Sequence, residues 1–483
     1  MAFLGIDLGT SGLRALLVDT EGSPIGSAER AYATHHPRPG WSEQNPKDWI
    51  DALNSAMREL RDDHPEFSDI KGIGVSGHMH GAVLVDEIGD PIRPCIMWND
   101  TRSHEEAARL DAIPEMRAIS GNVAFPGFTA PKLEWVRAHE PENHARISKV
   151  LLPAAYVNWY LTGESVSDVS DCSGTGWLDV RERGWSEALL AAGNMHSNQM
   201  PRLVEGCDPA GGLRIELLSD WGIKHPVIVA GGAGDNAAAA CGIGALSEGQ
   251  GFVSLGTSGV LLLARDGCDP APETALHSFC HAIPGRWCQM GVMLSATNSL
   301  NWLSRISGQS PASLTKALGT EIRNPSKELF LPYLSGERTP HNDAQIRAAF
   351  LGLDTQTSLD DMTRAVLEGV AFALRDSAEA MKATGAEIKK LYAVGGGAAS
   401  RYWVELIATI LGTSIALPKS GEFGAALGAA RLAIVAATDA RPEEVMHAPE
   451  FCKKITPRRD LIPVFDDAYE RFKDAYPAIQ SLQ

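Results

Sequence analysis

No Gly-x-x-x-x-Gly-Lys-Ser/Thr segment occurs in these 483 residues, so a nucleotide held by this chain is not held in a P-loop. The eight cysteines form no Cys-x-x-Cys pair, which removes both zinc spacing and dithiol redox chemistry. Their scatter fits reduced core thiols in a cytoplasmic protein. Basic residues are in deficit, 43 Lys and Arg against 60 Asp and Glu, for a formal charge of −17. That balance argues against nucleic acid or an anionic membrane as the main partner. A membrane-spanning run is also missing: the most apolar stretch, Val227 to Leu246, carries Asp235, Asn236 and several glycines. The first strand is expected from about Phe3, which leaves no room for a leader peptide. Low-complexity linkers are absent too. The 44% hydrophobic and 21% charged content is ordinary for a globular chain, and the length calls for more than one domain.

What the chain does have is a repeated glycine turn. Gly5-Ile6-Asp7-Leu8-Gly9-Thr10-Ser11-Gly12 opens it, and Val253-Ser254-Leu255-Gly256-Thr257-Ser258-Gly259 returns in mid-chain. Each lies between two apolar, β-prone runs, which reads as strand, tight turn, return strand. Glycines at such a turn let backbone N–H groups face an anion, and Thr and Ser add hydroxyl donors. A single copy reads as an ordinary hairpin; two copies facing each other would grip one nucleotide's phosphates from both sides. Asp7, present only in the first copy, suits a divalent cation next to polyphosphate.

Two more glycine clusters follow apolar strands and precede helical patterns. Val394-Gly395-Gly396-Gly397-Ala398-Ala399-Ser400 would let a flat group such as adenosine lie against the backbone, at a helix N-terminus. Gly231-Gly232-Ala233-Gly234-Asp235-Asn236 puts Asp235 near the start of a helix, on the rim where α/β sheets bind ligands. Alone, Asp235 reads as an N-cap. Beside three phosphate-type turns it reads as a general base. Gly72-Ile73-Gly74-Val75-Ser76-Gly77 matches a dinucleotide fingerprint by letter, but it overlaps a strand and no helix follows. His78-Met79-His80 would place both histidines on one face of a strand, yet no third metal ligand is evident. His80 hydrogen-bonding a polyol is the better reading. Trp98-Asn99-Asp100-x-Arg102 is dense in donors and acceptors and suits sugar hydroxyls, or else is a polar loop before a helix.

Together these stretches resemble the phosphate and adenosine motifs of the actin, Hsp70 and sugar-kinase superfamily. Gly127-Phe128-Thr129-Ala130-Pro131-Lys132-Leu133-x-Trp135 resembles one signature of the FGGY carbohydrate kinases, and Phe350–Leu353 with Asp361–Gly369 resembles the other. Within that family, Met79-His80-Gly81, Trp98–Asp100, Gly234–Asn236 and Leu331–His341 most resemble members that phosphorylate the ketopentose D-xylulose. The resemblance covers essentially the whole chain. It implies an α/β fold of two ribonuclease-H-like lobes around a central cleft, residues 1–246 and 247–483, where ATP, Mg²⁺ and the ketopentose meet. It implies Asp235 as catalytic base and Asp7 as organiser of the metal, the two acids sharing that metal. Sugar would meet Met79, His80, Asp235 and Asn236, with Trp98, Asn99 and Asp100 beside them. Nucleotide would meet Gly9, Thr10, Ser11, Arg14, Gly256, Thr257, Ser258 and Gly395 to Gly397. Three departures stand out: Arg14 where relatives carry Lys, His78 where they carry Gln, and the extra residue Ala233. Kinases for ribulose or L-xylulose, an actin-like ATPase and a non-catalytic sugar sensor are the alternatives, and a homodimer is left open.

The elements expected are strands at Phe3–Leu8, Leu13–Asp19, Ile70–Ser76, Ala82–Asp86, Val227–Ala230, Phe252–Leu255, Gly259–Ala264 and Lys390–Val394. Helices are expected at Lys47–Asp62, Thr101–Leu110, Ser358–Thr384 (capped by Ser358 with Asp361), Arg401–Leu411 and Phe423–Val435.

Overall fold

Two seven-stranded sheets carry the chain, and both start the same way. The computed structural model describes residues 1–419, 424–448 and 450–482. In the first sheet, Ala2–Leu8 lies antiparallel to Gly12–Val18 and parallel to Ile70–Gly77. In the second, Gln250–Leu255 lies antiparallel to Gly259–Arg265 and parallel to Lys390–Val394. Each opening strand is thus a central, mostly buried strand, as its largely apolar sequence leads one to expect. The order in the first sheet is Pro209–Gly212, Ile228–Ala230, Ile70–Gly77, Ala2–Leu8, Gly12–Val18, Pro24–Ala31, with Ala233–Gly234 also paired to Ile70–Gly77. The second runs His277–Cys280, Trp287–Met293, Gly259–Arg265, Gln250–Leu255, Lys390–Val394, Ile415–Pro418, Phe451–Ile455.

Most expected elements appear within one to three residues of their expected ends. Ser358 and Asp361 form the reciprocal capping box of the helix Leu359–Ala383. The strand expected at Ala82–Asp86 shrinks to Val83–Val85 and pairs with Lys149–Leu151, away from both main sheets. The helix expected from Thr101 begins at His104. Phe423 lies outside the described residues; the last expected helix is seen as Gly424–Ala437. The edge strands Pro24–Ala31 and His277–Cys280 and the C-terminal helix Ile462–Gln480 lacked a clear sequence signal.

Helix Gly424–Ala437 belongs by sequence to the second half but packs on the first sheet, over Gly5 and Gly74, and crosses helix Asp235–Gly242. The approach is backbone on backbone. A Cβ built on Gly74 would sit 2.0 Å from the Ala429 carbonyl oxygen, and one on Gly428 would sit 1.8 Å from that of Ala238. The Gly72-x-Gly74 pair that mimics a nucleotide fingerprint is therefore a seat for a helix. Side-chain hydrogen bonds add a second tie between the halves: Asn122 exchanges bonds with the backbone N–H and carbonyl of Ser278 at 3.0 and 2.9 Å. Seven cysteines are buried free thiols. Among the described residues no helix is long and apolar enough to cross a membrane.

Overpacking a tight site costs typically 1–3 kcal/mol or more. Gly74→Ala is expected to lower the urea midpoint clearly. Gly396→Ala, whose Cβ would meet nothing within 4 Å, should leave it in place. Equal midpoints for both variants would show that the helix seat does not need its glycine.

Candidate active site

The two glycine turns leave their sheets at the carboxyl ends of the central strands, and each is braced from behind through its carbonyls. In the first turn, Tyr32 Oη donates to Gly9 O at 2.5 Å, and Gln44 Nε2 donates to Thr10 O at 2.7 Å. Trp98 Nε1 donates to the Thr10 hydroxyl at 3.0 Å. In the second turn, Thr297 N–H and hydroxyl donate to Gly256 O at 2.9 and 2.7 Å, and Ala296 N–H donates to Thr257 O at 2.9 Å. With the carbonyls held back, the N–H groups of Thr10, Ser11 and Thr257 make no hydrogen bond among the described residues. That is an anion-accepting arrangement. Ser258 completes the second turn beside Thr257. Arg14 faces Asp7 across the first hairpin and bonds Glu29 Oε1 through Nε at 2.7 Å.

Gly395 adopts φ +85°, a conformation that favours glycine, and turns the chain over Leu255. A short 3-10 turn, Gly396–Ala399, precedes helix Arg401–Ile410, capped by Ser400. Gly396, Gly397, Leu300, Asn301, Thr315 and Trp403 help to line a cavity of about 420 Å³. This lies in the size range of ligand pockets. No atom stands within 4 Å of a Cβ built on Gly396.

Asp7 lies near enough to Asp235 for its charge to act on that carboxyl. Asp235 is the first residue of helix Asp235–Gly242, and its Oδ1 accepts from the Asn236 backbone N–H at 2.7 Å and the Asn236 side-chain amide at 2.9 Å. Burial, then the Asp7 charge, raises its pKa to about 7. Burial also raises Asp7, against the hydroxyl of Ser76 at 2.9 Å and the charge of Arg14. Behind Asp235 stands a further acidic pair. Asp168 caps the short helix Val169–Cys172, and Asp171 is fully buried with no partner for either oxygen among the described residues. Burial and neighbouring carboxylates push Asp171 well above the usual range.

His80 sits at φ +70°, just after Ile70–Gly77 ends. Its ring stacks on Phe128 at 4.8 Å, and Nδ1 lies 2.8 Å from Gly174 O. Burial and the Lys132 charge lower its pKa to about 3, so the ring is neutral. With Nδ1–H donating to a carbonyl, Nε2 carries the lone pair and can accept from a hydroxyl. Met79 packs on the turn that carries Asp235: a Cβ on Gly234 would lie 2.8 Å from Met79 Cγ. The expected common face for His78 and His80 is not formed, because the strand stops at Gly77. His78 is buried edge-on against Trp49 at 5.5 Å, away from the His80–Phe128 stack.

The loop Trp98–Asp100 divides. Trp98 is 42% exposed above the first glycine turn, and Asn99 is exposed beside the surface segment His36–Ser42. Asp100 is buried and spent on the protein. Its oxygens accept from Arg102 N–H, Nε and Nη2 and from Ser42 N–H at 2.6–2.9 Å, which uses a carboxylate's full acceptor capacity. The Arg102 guanidinium it holds lies 3.6 Å over the Trp41 ring.

Sequence reasoning passed over three groups. Lys132 is buried, donates to His80 O at 2.8 Å and thereby fixes the His80 turn; burial lowers its pKa to about 7. A lysine inside the otherwise apolar start of helix Thr129–His139 was the available signal. Asp168 and Asp171 announce themselves only as two acids in Ser167–Asp171. Arg338, in the stretch Leu331–His341, reaches the aromatic wall beside His80.

Residues 2–242 match the model of the FGGY family of carbohydrate kinases, N-terminal domain, and residues 251–437 match its C-terminal domain. The chain is 43% identical over 459 residues to the xylulose kinase of Escherichia coli strain K12, covering 93% of this chain and 94% of that protein. It is 45% identical to the xylulose kinase of Klebsiella pneumoniae over 90% of each chain. The crystal structure of a xyloylose kinase from Brucella ovis superposes with a TM-score of 0.99 at 53% identity over 100% of both chains. Plasmodium falciparum glycerol kinase with ADP, 21% identical, shares the fold with a TM-score of 0.87 over 98% of each chain. The two like-built sheets and the paired glycine turns at their rims are thus those of the actin, Hsp70 and sugar-kinase fold, and the chain belongs to the FGGY family of carbohydrate kinases, ATP-dependent sugar kinases.

Proposed function

We propose that this kinase transfers the γ-phosphoryl group of ATP to the C5 hydroxyl of D-xylulose, with Asp235 as general base. The observation that carries the reading is Asp235 itself. It is an acid whose pKa is raised to about 7, at the start of a helix, between a braced anion turn and a neutral, acceptor-bearing His80. Xylulose is the substrate named for the relatives at 43% and 45% identity.

Phosphoryl transfer asks a protein mainly to position its partners and neutralise charge. The turns Gly9–Ser11 and Gly256–Ser258 would hold the phosphates by backbone N–H and hydroxyls, and the Gly395–Gly397 bend would seat adenosine. His80 Nε2 and the Asn236 amide would hold sugar hydroxyls, with Met79 as an apolar floor. Asp235 would accept the proton of the attacking hydroxyl as the O–P bond forms. Among the described residues no cluster of three metal-ligating side chains exists. Asp7 and Asp235 supply the one or two carboxylates that suit Mg²⁺ arriving on nucleotide phosphates, where it would neutralise phosphate charge. Lobe closure would exclude water, so that ATP is spent on sugar.

Asp235→Asn should lower kcat on the order of 10²–10⁴-fold while nucleotide still binds. Wild-type kcat/KM should fall tenfold per pH unit on the acid side, with a midpoint no higher than about 7, because only ionised Asp235 takes a proton. The variant's residual rate should lack that limb. A variant with near-normal turnover, or an unchanged limb, would remove Asp235 from the role.

Gly396→Val should weaken ATP binding at least tenfold, measured by calorimetry, and leave D-xylulose binding within about twofold, since the added branches enter the cavity and not the His80 side. A loss confined to the sugar would move adenosine elsewhere.

A further inference from the structure

Arg338, at the edge of the candidate sugar site, makes no salt bridge among the described residues; the one acid whose charge acts on it is its chain neighbour Glu337. Its guanidinium carbon lies 4.4 Å over the Phe125 ring, and Nη1 is 3.4 Å from His277 Nε2. His277 and Phe128 pack against each other at 5.8 Å, and Phe128 carries the stacked His80 ring at 4.8 Å. The Arg338 charge reaches both histidines and helps to keep each neutral. No carboxylate pairs with it among the described residues.

The adjacent acid does not fill that need. Glu337 is buried, and its Oε1 accepts from the backbone N–H of Leu294 at 3.0 Å and of Arg338 at 2.8 Å. Burial raises its pKa to about 8, so it is largely neutral at pH 7. Five N–H donors in a rigid fork therefore have one described contact, to an uncharged ring, and the residue is only partly exposed. No Arg338 nitrogen is among the buried atoms left without a partner, so its remaining N–H groups open to solvent, where a ligand can meet them.

Position selects the ligand atoms. Asp235 belongs to the first half of the chain and Arg338 to the second, where it abuts Phe125 and His277, the rings that join on to Phe128 and His80. An extended ketopentose with its C5 hydroxyl at Asp235 has its C1 hydroxyl and C2 carbonyl at the far end. These are two adjacent neutral oxygens, matched to a guanidinium fork. We propose that Arg338 is the second lobe's contribution to the sugar site, a specificity-determining residue whose free N–H groups hydrogen-bond the C1–C2 hydroxyketone end of the substrate. This rests on the ketopentose reading of the site. Arg338 then rewards a ketone over a carbinol at C2, since a carbonyl oxygen presents its lone pairs in the plane of the guanidinium fork, whereas a tetrahedral carbinol turns its oxygen out of that plane and adds a proton that needs an acceptor.

The test compares D-xylulose with xylitol and D-arabinitol, the two alcohols obtained by reducing its C2 carbonyl, in the wild-type enzyme, Arg338→Lys and Arg338→Met. The wild type is expected to prefer the ketose. Both variants should raise KM for D-xylulose about tenfold or more, leave KM for ATP within about twofold, and bring the ketose-to-alcohol ratio of kcat/KM toward one. Lysine keeps the charge without the fork and should recover less than half of the lost preference. Direct titration of D-xylulose without nucleotide should show the same loss. Unchanged sugar KM in both variants overturns the proposal, as does an equal loss for ketose and alcohols, or a wild type that does not distinguish them. If Arg338→Met fails to fold, Arg338→Lys and the wild-type ketose-to-alcohol ratio still decide. A wild type that phosphorylates another ketose, and not D-xylulose, refutes the substrate reading; Arg338 is then judged by the same ratio on that ketose and its reduced alcohols.

Discussion

Backbone touches backbone where helix Gly424–Ala437 crosses the first sheet and helix Asp235–Gly242, and everything functional in the cleft inherits its geometry from that crossing. One helix of the crossing begins with Asp235. The other comes from the half of the chain that carries the second glycine turn. Side chains at the contact would hold the halves apart; glycines let carbonyls meet Cα atoms at van der Waals distance. The two turns can then converge on a common ligand from separate sheets. The Asn122–Ser278 exchange is a specific polar tie at another point of contact, where an alternative arrangement would leave buried donors unmatched.

The candidate site is electrostatically one-sided. Asp7, Asp168, Asp171 and Asp235 cluster on the first-lobe wall, and burial raises each of them. The cations nearby have other tasks: Arg14 bonds Glu29, and Lys132 anchors the His80 turn. Burial first, and then a neighbour of its own sign, hold Asp235 near neutral pH, the physical route to a carboxylate that can work as a base there. The same crowding makes a polyphosphate unwelcome unless a cation accompanies it.

The glycine turns of the candidate site were legible in the sequence because their signals are local. A glycine turn between two apolar strands carries its conformation within eight residues, so Gly9–Ser11, Gly256–Ser258 and Gly395–Gly397 could be placed by inspection. Asp235 was legible as the start of a helix after a strand. The surroundings of His80 and Trp98 were not, because they are assembled from afar. Asp100 has a sugar-binder's chemistry but is saturated by Arg102 and Ser42, one of them 58 residues away. Trp98 reaches a turn 88 residues away. His78 and His80 lie two residues apart, yet the strand's end separates them. Lys132 and Arg338 gain their meaning only from His80 and its aromatic wall. Helix Gly424–Ala437 shows a similar limit: its composition predicted a buried helix, but only the glycines on distant strands tell which sheet it covers.

Thiol chemistry follows from the burial of the seven described cysteines. Burial raises the pKa of Cys95, Cys172, Cys207, Cys241, Cys268, Cys280 and Cys288 above that of a free thiol. At these seven positions the reactive thiolate is therefore scarce, and side chains no more than 8% exposed meet reagent slowly. Cys280 and Cys288 sit in the second sheet, Cys172 and Cys241 in helices and Cys95 in a short two-stranded sheet, so alkylation at each follows the opening of a different part of the molecule. Labelling rates read cysteine by cysteine would thus map local opening across the molecule, with the enzyme's native residues as the probes.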